Sequence, residues 1–556
     1  MKKLILLLMV ISGCIEPQQT EVNNFADNQL VNIYDLQDQR NSEKLIPFLK
    51  AKKEHHRVAA ALAFASIKDT LAIPYLSQII QIDQDELPRR AAAFALGQIG
   101  HSKALKVLRS SFDSELSKTN QRYILEAIGK CGDSSTITLF EKTNYQDSTL
   151  KLGWAYGVFR LSLKRLTSNT LTKRMLALLE SENSLLEQEL ASHFITRHYR
   201  LTSQPAGSLT EKLKKIAQST TNQSLKDRLN STLLYVAPIR EQFSWNWTKT
   251  YKNLGDYDKV KALEKLEIKH PKLIDFCYAI ATDSSHSLAV KTAAFQKFVD
   301  AQNQLNTDQL GHKKMEDALK FALKSNNMAL QSIAAIELQN EKYLASTDIW
   351  LPILSKTKKK ITLPQQAETY IDVCRAIEAQ GGAKFNGYKP AFNHPINWEY
   401  VKTIPHNEQV IIETTKGNII LQLFVNEAPG TVSNFLHLVD SNFYNNKFFH
   451  RVVPLFVIQG GCPRGDGWGG LNWTQRSEFS NYQTYKPGTF GIASSGQDTE
   501  GVQFFITHCH TPHLDGRYTI FARIIDGMSV VNSIDVGDRI ISIKRNPTKI
   551  EIGEDS

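Results

Sequence analysis

Cysteine is scarce in this chain of 556 residues: there are six, and no two of them are spaced as a CxxC pair. Structural zinc sites are usually built from such closely spaced pairs, so the sequence gives no support for one. Cys14 ends an N-terminal apolar run, and its modification there would leave five cysteines. An odd number cannot all pair, so we predict no disulfide framework.

Long apolar runs are also missing. The run from Leu4 to Ile11 is far too short to cross a bilayer as a helix, and no later segment is long and apolar enough to do so. Lys2 and Lys3 precede that run and Cys14 follows it, a pattern typical of a secretory signal. The sequence therefore predicts an exported protein.

The end of this signal, Ile11-Ser12-Gly13-Cys14, resembles the bacterial lipoprotein box. The resemblance implies removal of residues 1–13 and lipidation of Cys14. We expect a lipid anchor in the bacterial cell envelope, on the periplasmic side of the outer membrane. Several acyl chains on one residue would hold the protein firmly there. The alternatives are an ordinary signal peptide cut elsewhere and a cysteine that stands at this position by chance. Residues 14–40 are polar and lack periodicity, which favours a flexible tether.

Negative charge is in short supply in the first 405 residues. The net charge is +10, yet residues 406–556 hold 12 Lys and Arg against 15 Asp and Glu, so the positive excess lies upstream. A basic half can indicate nucleic acid, an anionic membrane or an acidic partner. Its lysines are scattered rather than clustered, which favours a solvated helical surface, and export conflicts with nucleic-acid binding. We therefore predict no nucleic-acid partner.

A repeat of helices is indicated within residues 41–383. Segments 63–68 (AFASIK), 95–100 (ALGQIG) and 127–132 (AIGKCG) follow one another at a constant interval, and each is followed by a second apolar helix. Two helices per unit at this period are typical of an α-solenoid, and the texture resembles HEAT-like repeats. Such repeats usually present a concave surface, so we predict a protein partner or client there. A helical domain without repeats is the alternative.

The helical pattern ends near residue 383. Glycines, prolines and recurrent aromatic residues interrupt residues 384–406, which favours a linker. Beyond it the chain alternates short β-rich runs with few helical ones, and Lys416-Gly417 lies between two such runs as a tight hairpin turn. Many short strands with few helices favour a closed barrel.

Six segments of this last region carry a family resemblance. They are 415–419 (TKGNI), 428–435 (APGTVSNF), 449–461 (FHRVVPLFVIQGG), 491–495 (GIASS), 503–506 (QFFI) and 514–521 (LDGRYTIF). Over residues 407–552 their order and spacing resemble the cyclophilin-type peptidyl-prolyl cis/trans isomerases. The resemblance implies a barrel of eight antiparallel strands capped by two helices. It also implies an enzyme that isomerises X-Pro bonds of proline-containing polypeptides without a cofactor.

Segment 449–461 places two polar side chains, Arg451 and Gln459, among aliphatic and aromatic neighbours. A guanidinium in such surroundings is costly unless the site uses it. Rotation about an X-Pro bond meets a barrier of about 18–20 kcal/mol because resonance stiffens the amide. By resemblance, Arg451 is the catalytic cation that donates to the prolyl nitrogen as it loses conjugation, and Gln459 holds the guanidinium and meets the substrate backbone.

The resemblance also implies a set of substrate-binding residues. They are Phe456, Val457, Ala493, Ser494, Gln503, Phe505, His513, Leu514 and Tyr518. The apolar members would form the pocket for the proline ring, and the Ala493-Ser494 edge would bind peptide main chain. Val457, Ser494, His513 and Tyr518 stand where many members of the family carry other residues. The aromatic residues taken alone are equally consistent with a plain hydrophobic core.

No metal site is predicted. His508-Cys509-His510 together with His513 has no standard zinc spacing and favours a surface loop, while His55-His56 is typical of a solvated helix face. Two functions stay open at this level. One is an envelope isomerase whose helical repeats hold clients or partners, and the other is a non-catalytic scaffold that binds proline loops. Arg451 with Gln459 favours the enzyme.

Overall fold

The computed structural model describes residues 23–180, 183–198, 206–236, 245–305 and 309–547. The predicted signal of residues 1–13, the predicted lipidation site Cys14 and residues 548–552 lie outside these ranges. Within them, a helical region precedes a C-terminal antiparallel sheet. The predicted division into a helical part and a mainly-β part is confirmed. No helix in the described ranges combines the length and apolar character needed to cross a bilayer.

The helices up to residue 236 share one hydrophobic core. They are α1 (Asn28–Asp38), α2 (Ser42–Leu45), α3 (Glu54–Ile67), α4 (Ile73–Ile82), α5 (Glu86–Ile99), α6 (Leu105–Ser114), α7 (Lys118–Cys131), α8 (Ser134–Lys142), α9 (Ser148–Ser162), α10 (Asn169–Ala177), α11 (Leu185–His198), α12 (Ala206–Ser219) and α13 (Gln223–Val236). Helices α3, α5 and α7 begin at the same interval as the three repeated segments, and α6 begins that interval after α4. The predicted repeat therefore sets the helix spacing in this part of the chain.

Arginines at equivalent positions form the same ion pair in successive repeats. Arg57 binds the carboxylate of Asp83 through Nε at 2.8 Å, and Arg89, at the matching position of the next repeat, binds Glu115 in the same way at 2.8 Å. Each guanidinium also donates to two backbone carbonyls ahead of its own helix. Each ion pair thus joins the first helix of a repeat to the residue that directly follows its second helix. The sequence pattern gave no indication of these bonds.

Small residues let the repeat helices approach closely. A Cβ atom at Gly129 of α7 would lie 2.1 Å from the backbone oxygen of Gly157 in α9, which no larger residue tolerates. Alanine faces on α3 and α5 are fully buried for the same reason, since a short side chain brings the helix axes together.

A second helical group follows with its own core. It comprises α14 (Trp245–Lys252), α15 (Asp256–Lys265), α16 (Lys272–Thr282), α17 (Leu288–Gln304), α18 (Gln309–Lys324), α19 (Met328–Glu337), α20 (Thr347–Lys358) and α21 (Ala367–Ala379). The separate core indicates that the helices predicted as one domain over 41–383 pack as two groups.

The C-terminal sheet has eight strands in the order β3-β4-β6-β5-β7-β2-β1-β8. They are β1 (Gln409–Thr414), β2 (Gly417–Leu423), β3 (Arg451–Val453), β4 (Val457–Gly460), β5 (Thr489–Ile492), β6 (Phe504–Thr507), β7 (Ile520–Asp526) and β8 (Ile540–Arg545). Three helices accompany it: α22 (Trp398–Val401) before the sheet, α23 (Pro429–Asp440) between β2 and β3, and α24 (Met528–Ser533) between β7 and β8.

The prediction of a closed barrel is wrong in one respect. The edge strands β3 and β8 do not pair with each other along their length, so the sheet is a curled half-barrel rather than a continuous ladder. The segments that lead into them, 446–449 and 537–540, are joined by backbone hydrogen bonds and by an isolated bridge between Phe448 and Arg539. Strand β3 has three residues, too few to extend the pairing across the gap. The curled sheet still encloses a core with the helix α23 packed on it.

Part of the predicted tether is ordered. Phe25 is buried in the core of the sheet domain, and α1 follows it directly. The Asn23 side chain donates to the carbonyls of Val401 and Ile404, and Arg40 forms an ion pair with Asp498. The expected tether over 14–40 is therefore wrong for residues 23–40, because an apolar side chain and polar anchors hold them on the sheet domain. Residues 14–22 lie outside the described ranges.

The helical region packs along the sheet domain through buried polar contacts. Arg160 of α9 binds Asp515 at 3.2 Å and donates to the carbonyl of Pro512. The Ser66 hydroxyl accepts from the backbone N–H of Phe479 at 2.8 Å. The helical repeats therefore contact the chain's own sheet domain at these residues.

A buried carboxyl group gives the sheet domain a distinct pH dependence. Glu500 has no exposed surface and accepts a hydrogen bond from the Thr519 hydroxyl at 2.9 Å. Burial raises its pKa to about 8. The folded protein then keeps a proton that the unfolded chain releases between about pH 4.5 and pH 8, so this group lowers stability as pH rises through that window.

We expect Glu500→Gln to raise the free energy of unfolding by about 2–4 kcal/mol at pH 8, with the gain shrinking toward pH 5. The amide keeps the acceptor for Thr519 and removes the ionisation. Urea unfolding at the two pH values measures the effect. Glu399→Gln, at a side chain that is 91% exposed, is the matched control. A gain of equal size at both pH values would contradict the assignment.

Candidate active site

A cleft of about 640 Å³ opens beside strands β3, β4 and β6. Ten of the predicted site residues line it: Arg451, Phe456, Val457, Gln459, Ala493, Ser494, Gln503, Phe505, Leu514 and Tyr518. The loop after β4, which contains Trp468 and Trp473, closes one end. Residues that are distant in the chain thus share one concave surface.

A row of paired residues crosses four neighbouring strands at the centre of the cleft. Arg451 of β3 pairs with Gln459 of β4, Gln459 pairs with Phe505 of β6, and Phe505 pairs with Gly491 of β5. Directly paired residues point to the same face of a sheet. The register therefore aligns a cation, an amide and an aromatic ring in sequence across the cleft.

Glycine is required at the end of this row. A Cβ atom at Gly491 would lie 2.4 Å from the ring of Phe505 and 2.2 Å from the hydroxyl of Tyr485. The missing side chain lets the Phe505 ring lie flat over the strand, where it stacks on Tyr485 at 5.4 Å between ring centroids. Gly491 belongs to the segment 491–495 that carries the family resemblance, but its role becomes visible only in the structure.

A chain of amides holds Gln459 in place. Its Nε2 donates to Oε1 of Gln503 at 3.1 Å, and Nε2 of Gln503 donates to the carbonyls of Gly467 at 3.0 Å and Gly469 at 3.2 Å. The orientation of both amides follows from these acceptors.

The electrostatics leave Arg451 as the permanent cation of the sheet wall. His450 also lines the cleft, but burial lowers its pKa to about 4, so it is neutral at physiological pH. Asp466 forms an ion pair with Arg464 at 2.8 Å and accepts from the Trp468 amide at 3.1 Å. The Arg451 side chain is exposed within the cleft rather than buried in the sheet.

The floor of the cleft is apolar. Val457, Phe505 and Leu514 are buried there, and Tyr518 packs edge-on against Phe505 with ring centroids 5.5 Å apart. Beside this floor, the Ala493 amide donates to the Gln503 carbonyl at 2.9 Å. Ala493 and Ser494 are partly exposed on the cleft side. The cleft therefore has an apolar depression next to a short stretch of accessible backbone.

His513 is the predicted substrate-binding residue that does not line the cleft. Its ring stacks on Phe456 at 5.4 Å and lies 5.3 Å from the ring of His193 in α11. Burial holds the pKa of His513 well below its usual range, so the ring is neutral. The helical region covers this position, and for that reason the sequence alone could not place it.

The opposite wall of the cleft comes from the helical region, which sequence analysis did not foresee. Its lining residues are Val260, Glu264, Ala289, Thr292, Ala293, Gln296, Ile333, Pro364, Gln365, Ala367 and Glu368. Three contacts fix this wall against the sheet domain: the Tyr257 hydroxyl donates to the Gly465 carbonyl at 2.8 Å, the Gly470 amide donates to the Gln365 carbonyl at 3.1 Å, and Lys261 pairs with Asp535 at 3.0 Å. The cleft is therefore built from both parts of the chain.

Metal-binding side chains come together at one place in the described ranges, remote in sequence from the cleft residues. Asp27 Oδ2 lies 2.9 Å from Nε2 of His56 and 3.3 Å from Nε2 of His55. Lys53 lies 3.5 Å from the same oxygen. These contacts join the start of α1 to the start of α3, so a structural role accounts for the cluster. The loop 508–510 instead packs on α11, where His510 lies 3.0 Å from Glu189.

Comparison with known proteins decides the family. Residues 409–552 match the family model described as cyclophilin type peptidyl-prolyl cis-trans isomerase/CLD. A peptidyl-prolyl cis-trans isomerase of Synechococcus elongatus is 47% identical over 138 residues, which cover 24% of this chain and 94% of that protein. The chain belongs to the cyclophilin-type peptidyl-prolyl isomerase family. The enzyme class predicted from the sequence is therefore confirmed, and the sheet domain is a cyclophilin-type isomerase domain.

Two further similarities cover about the same share of the chain. A Helicobacter pylori peptidyl-prolyl cis-trans isomerase is 46% identical and matches 24% of this chain and 83% of its own length. A solved cyclophilin type isomerase of Cryptosporidium parvum is 33% identical and covers 25% of this chain and 98% of that one, with a TM-score of 0.24. Separately, residues 42–129 match the family model of HEAT repeats, which confirms the predicted repeat type for this segment.

Proposed function

We propose that this cyclophilin-type isomerase is a lipid-anchored enzyme of the bacterial cell envelope that acts on X-Pro bonds of exported proteins. Arg451 is its catalytic cation, Gln459 orients the guanidinium and meets the substrate backbone, and the floor around Phe505 receives the proline ring. The single observation that carries the assignment is the aligned row of Arg451, Gln459 and Phe505 across β3, β4 and β6.

The chemistry follows from the amide. In the planar ground state the prolyl nitrogen shares its lone pair with the carbonyl and accepts poorly. At the twisted transition state that lone pair is localised, so a guanidinium N–H donates to it far better than to the ground state. An apolar floor holds the ring while the carbonyl side turns. No bond to the protein forms or breaks, so a positioned donor and a shaped pocket suffice.

The helical region contributes a wall of the same cleft, which supports a part for it in choosing substrates. A segment that reaches Arg451 passes between the sheet domain and helices α15, α17 and α21. Extended, unfolded stretches fit such a passage, whereas a proline on the flat surface of a folded domain does not. Newly exported chains expose stretches of that kind. Turnover of proline peptides by wild type and by Arg451→Ala tests the catalytic assignment.

The anchor has its own test. We expect Cys14→Ser to release the protein from the membrane fraction of expressing cells and to abolish incorporation of labelled palmitate, since the serine cannot carry the thioether-linked lipid. Ser12→Ala exchanges one small residue for another in the same segment and serves as the control. Continued sedimentation of Cys14→Ser with the membranes, extractable only by detergent, would contradict the lipoprotein assignment.

A further inference from the structure

The helical wall of the cleft carries charge of one sign. Among the described helical residues that line it, two are ionisable, and both are glutamates: Glu264 of α15 and Glu368 of α21. Both side chains are exposed to solvent within the cleft. The cation Lys297 lies beside Glu264: its Nζ donates to the backbone carbonyls of Glu264 and Leu266 at 3.1 Å each, and its charge lowers the pKa of Glu264. Its charge offsets the wall only in part.

Glu264 lines the same cleft as the proposed catalytic cation, Arg451. Among the charges near its carboxylate, Lys297 has the largest effect and lowers the pKa, Arg451 lowers it further, and Asp535 raises it. The concave surroundings raise its pKa by removing water from the carboxylate. Asp535 is itself paired with Lys261 at 3.0 Å. Glu264 therefore presents a solvent-exposed carboxylate to a peptide that binds beside Arg451.

Glu368 also lines the cleft, next to the accessible backbone edge. Its carboxylate interacts with the Ser495 side chain, directly after Ala493 and Ser494. Partial removal of water in the cleft raises its pKa to about 7, and the neighbouring Asp372 adds to this effect, so this carboxylate is mostly ionised only above about pH 7. The two glutamates thus bracket the apolar floor, one on the side of Arg451 and one on the side of the Ala493-Ser494 edge.

We propose that Glu264 and Glu368 make the cleft selective for proline segments flanked by lysine or arginine. This inference rests on the proposed binding of the prolyl segment beside Arg451. A flanking ammonium or guanidinium can pair with either carboxylate while the ring occupies the floor, whereas a flanking carboxylate meets like charge. Such pairs in a partly desolvated cleft change affinity more than exposed surface pairs do, and like charges discriminate against the wrong partner.

The test uses the full-length protein and a set of peptides with one Ala-Pro core. The peptides carry lysine, glutamine or glutamate at the positions on both sides of the core, and NMR exchange measures kcat/KM for each. We expect wild type to prefer the lysine peptide over the glutamate peptide by about three- to tenfold. The preference should shrink when ionic strength rises from about 0.1 M to about 1 M, because salt screens the charges.

The double variant Glu264→Gln/Glu368→Gln should reduce this ratio to about one, and Glu264→Lys should reverse its direction. Glu43→Gln, at an exposed glutamate of α2 that does not line the cleft, should keep the wild-type ratio. Equal rates for the lysine and glutamate peptides with wild type would overturn the inference. An equal rise for all peptides in Glu264→Gln would also overturn it, since the glutamate would then only mask Arg451.

The glutamine peptide separates this inference from the function on which it rests. Turnover of that uncharged peptide by wild type, together with its loss in Arg451→Ala, upholds the proposed site whatever the charged peptides show. A failure of the charged series alone then rejects selectivity. A failure of Arg451→Ala to lower turnover of the uncharged peptide rejects the proposed site and the selectivity with it.

Discussion

Arg451→Ala is expected to lower kcat/KM for a proline peptide by about 10²–10³-fold, the range seen when one transition-state donor is removed from an enzyme. The guanidinium acts on a charge distribution that exists only in the twisted amide, so its loss lowers the rate more than it lowers substrate binding. The side chain is exposed in the cleft and is not part of the core of the sheet. Folding should therefore be unchanged.

The experiment compares turnover, measured by NMR exchange, with peptide affinity, measured by titration. Arg517→Ala removes an exposed arginine of the same domain that does not line the cleft, and it should keep wild-type turnover. Arg451→Lys keeps the charge but loses the planar fork of donors, so partial activity is expected. Wild-type turnover in Arg451→Ala would overturn the catalytic role of this cation. Absence of turnover in both proteins, with peptide binding retained, would instead indicate a non-catalytic scaffold that binds proline loops.

The central row of the cleft could be predicted because its parts are close in sequence or stand in one strand pair. Arg451 and Gln459 are separated by a short hairpin, and two polar residues within apolar strands are visible without a structure. The same holds for the helical repeat, since a constant interval between similar segments is a property of the sequence itself. Both the Arg451–Gln459 pair and the helical repeat are therefore visible in the spacing of residues along the chain.

The helical wall could not be predicted in this way. Glu264 and Arg451 are brought together by packing between two parts of the chain, and no periodicity or motif encodes which surfaces meet. His513 illustrates the consequence: its motif position predicts a cleft residue, whereas α11 covers it. Phe25 is similar, because one apolar residue in a polar segment gives no sign that it completes a distant core.

One buried cation takes part in the junction between the helical region and the isomerase domain. The Arg160 side chain is 4% exposed, and it pairs with Glu126 of α7 at 2.8 Å and with Asp515 at 3.2 Å. It also donates to the Pro512 carbonyl, which begins the short turn that leads to Leu514 in the cleft floor. The same guanidinium therefore supports both the interface and the floor.

We expect Arg160→Met to lower the free energy of unfolding by about 3–5 kcal/mol, because it leaves buried carboxylates without their shared partner. Glu126 keeps Lys130 at 3.2 Å, so the larger imbalance falls on Asp515. Urea unfolding measures the change, and Arg375→Met, at an exposed arginine of α21, is the control.

A second substitution separates charge from packing. Asp515→Asn retains an acceptor for the Tyr485 amide, which now donates to Oδ1 at 2.8 Å, but it removes the negative charge. If the uncompensated carboxylate causes the loss, Arg160→Met/Asp515→Asn will be more stable than the sum of the single variants predicts. Additive losses would instead mean that Arg160 acts through its bulk and its bond to Pro512. In that case KM for proline peptides should rise with Arg160→Met whether or not Asp515 is charged, since the turn that carries Leu514 would shift.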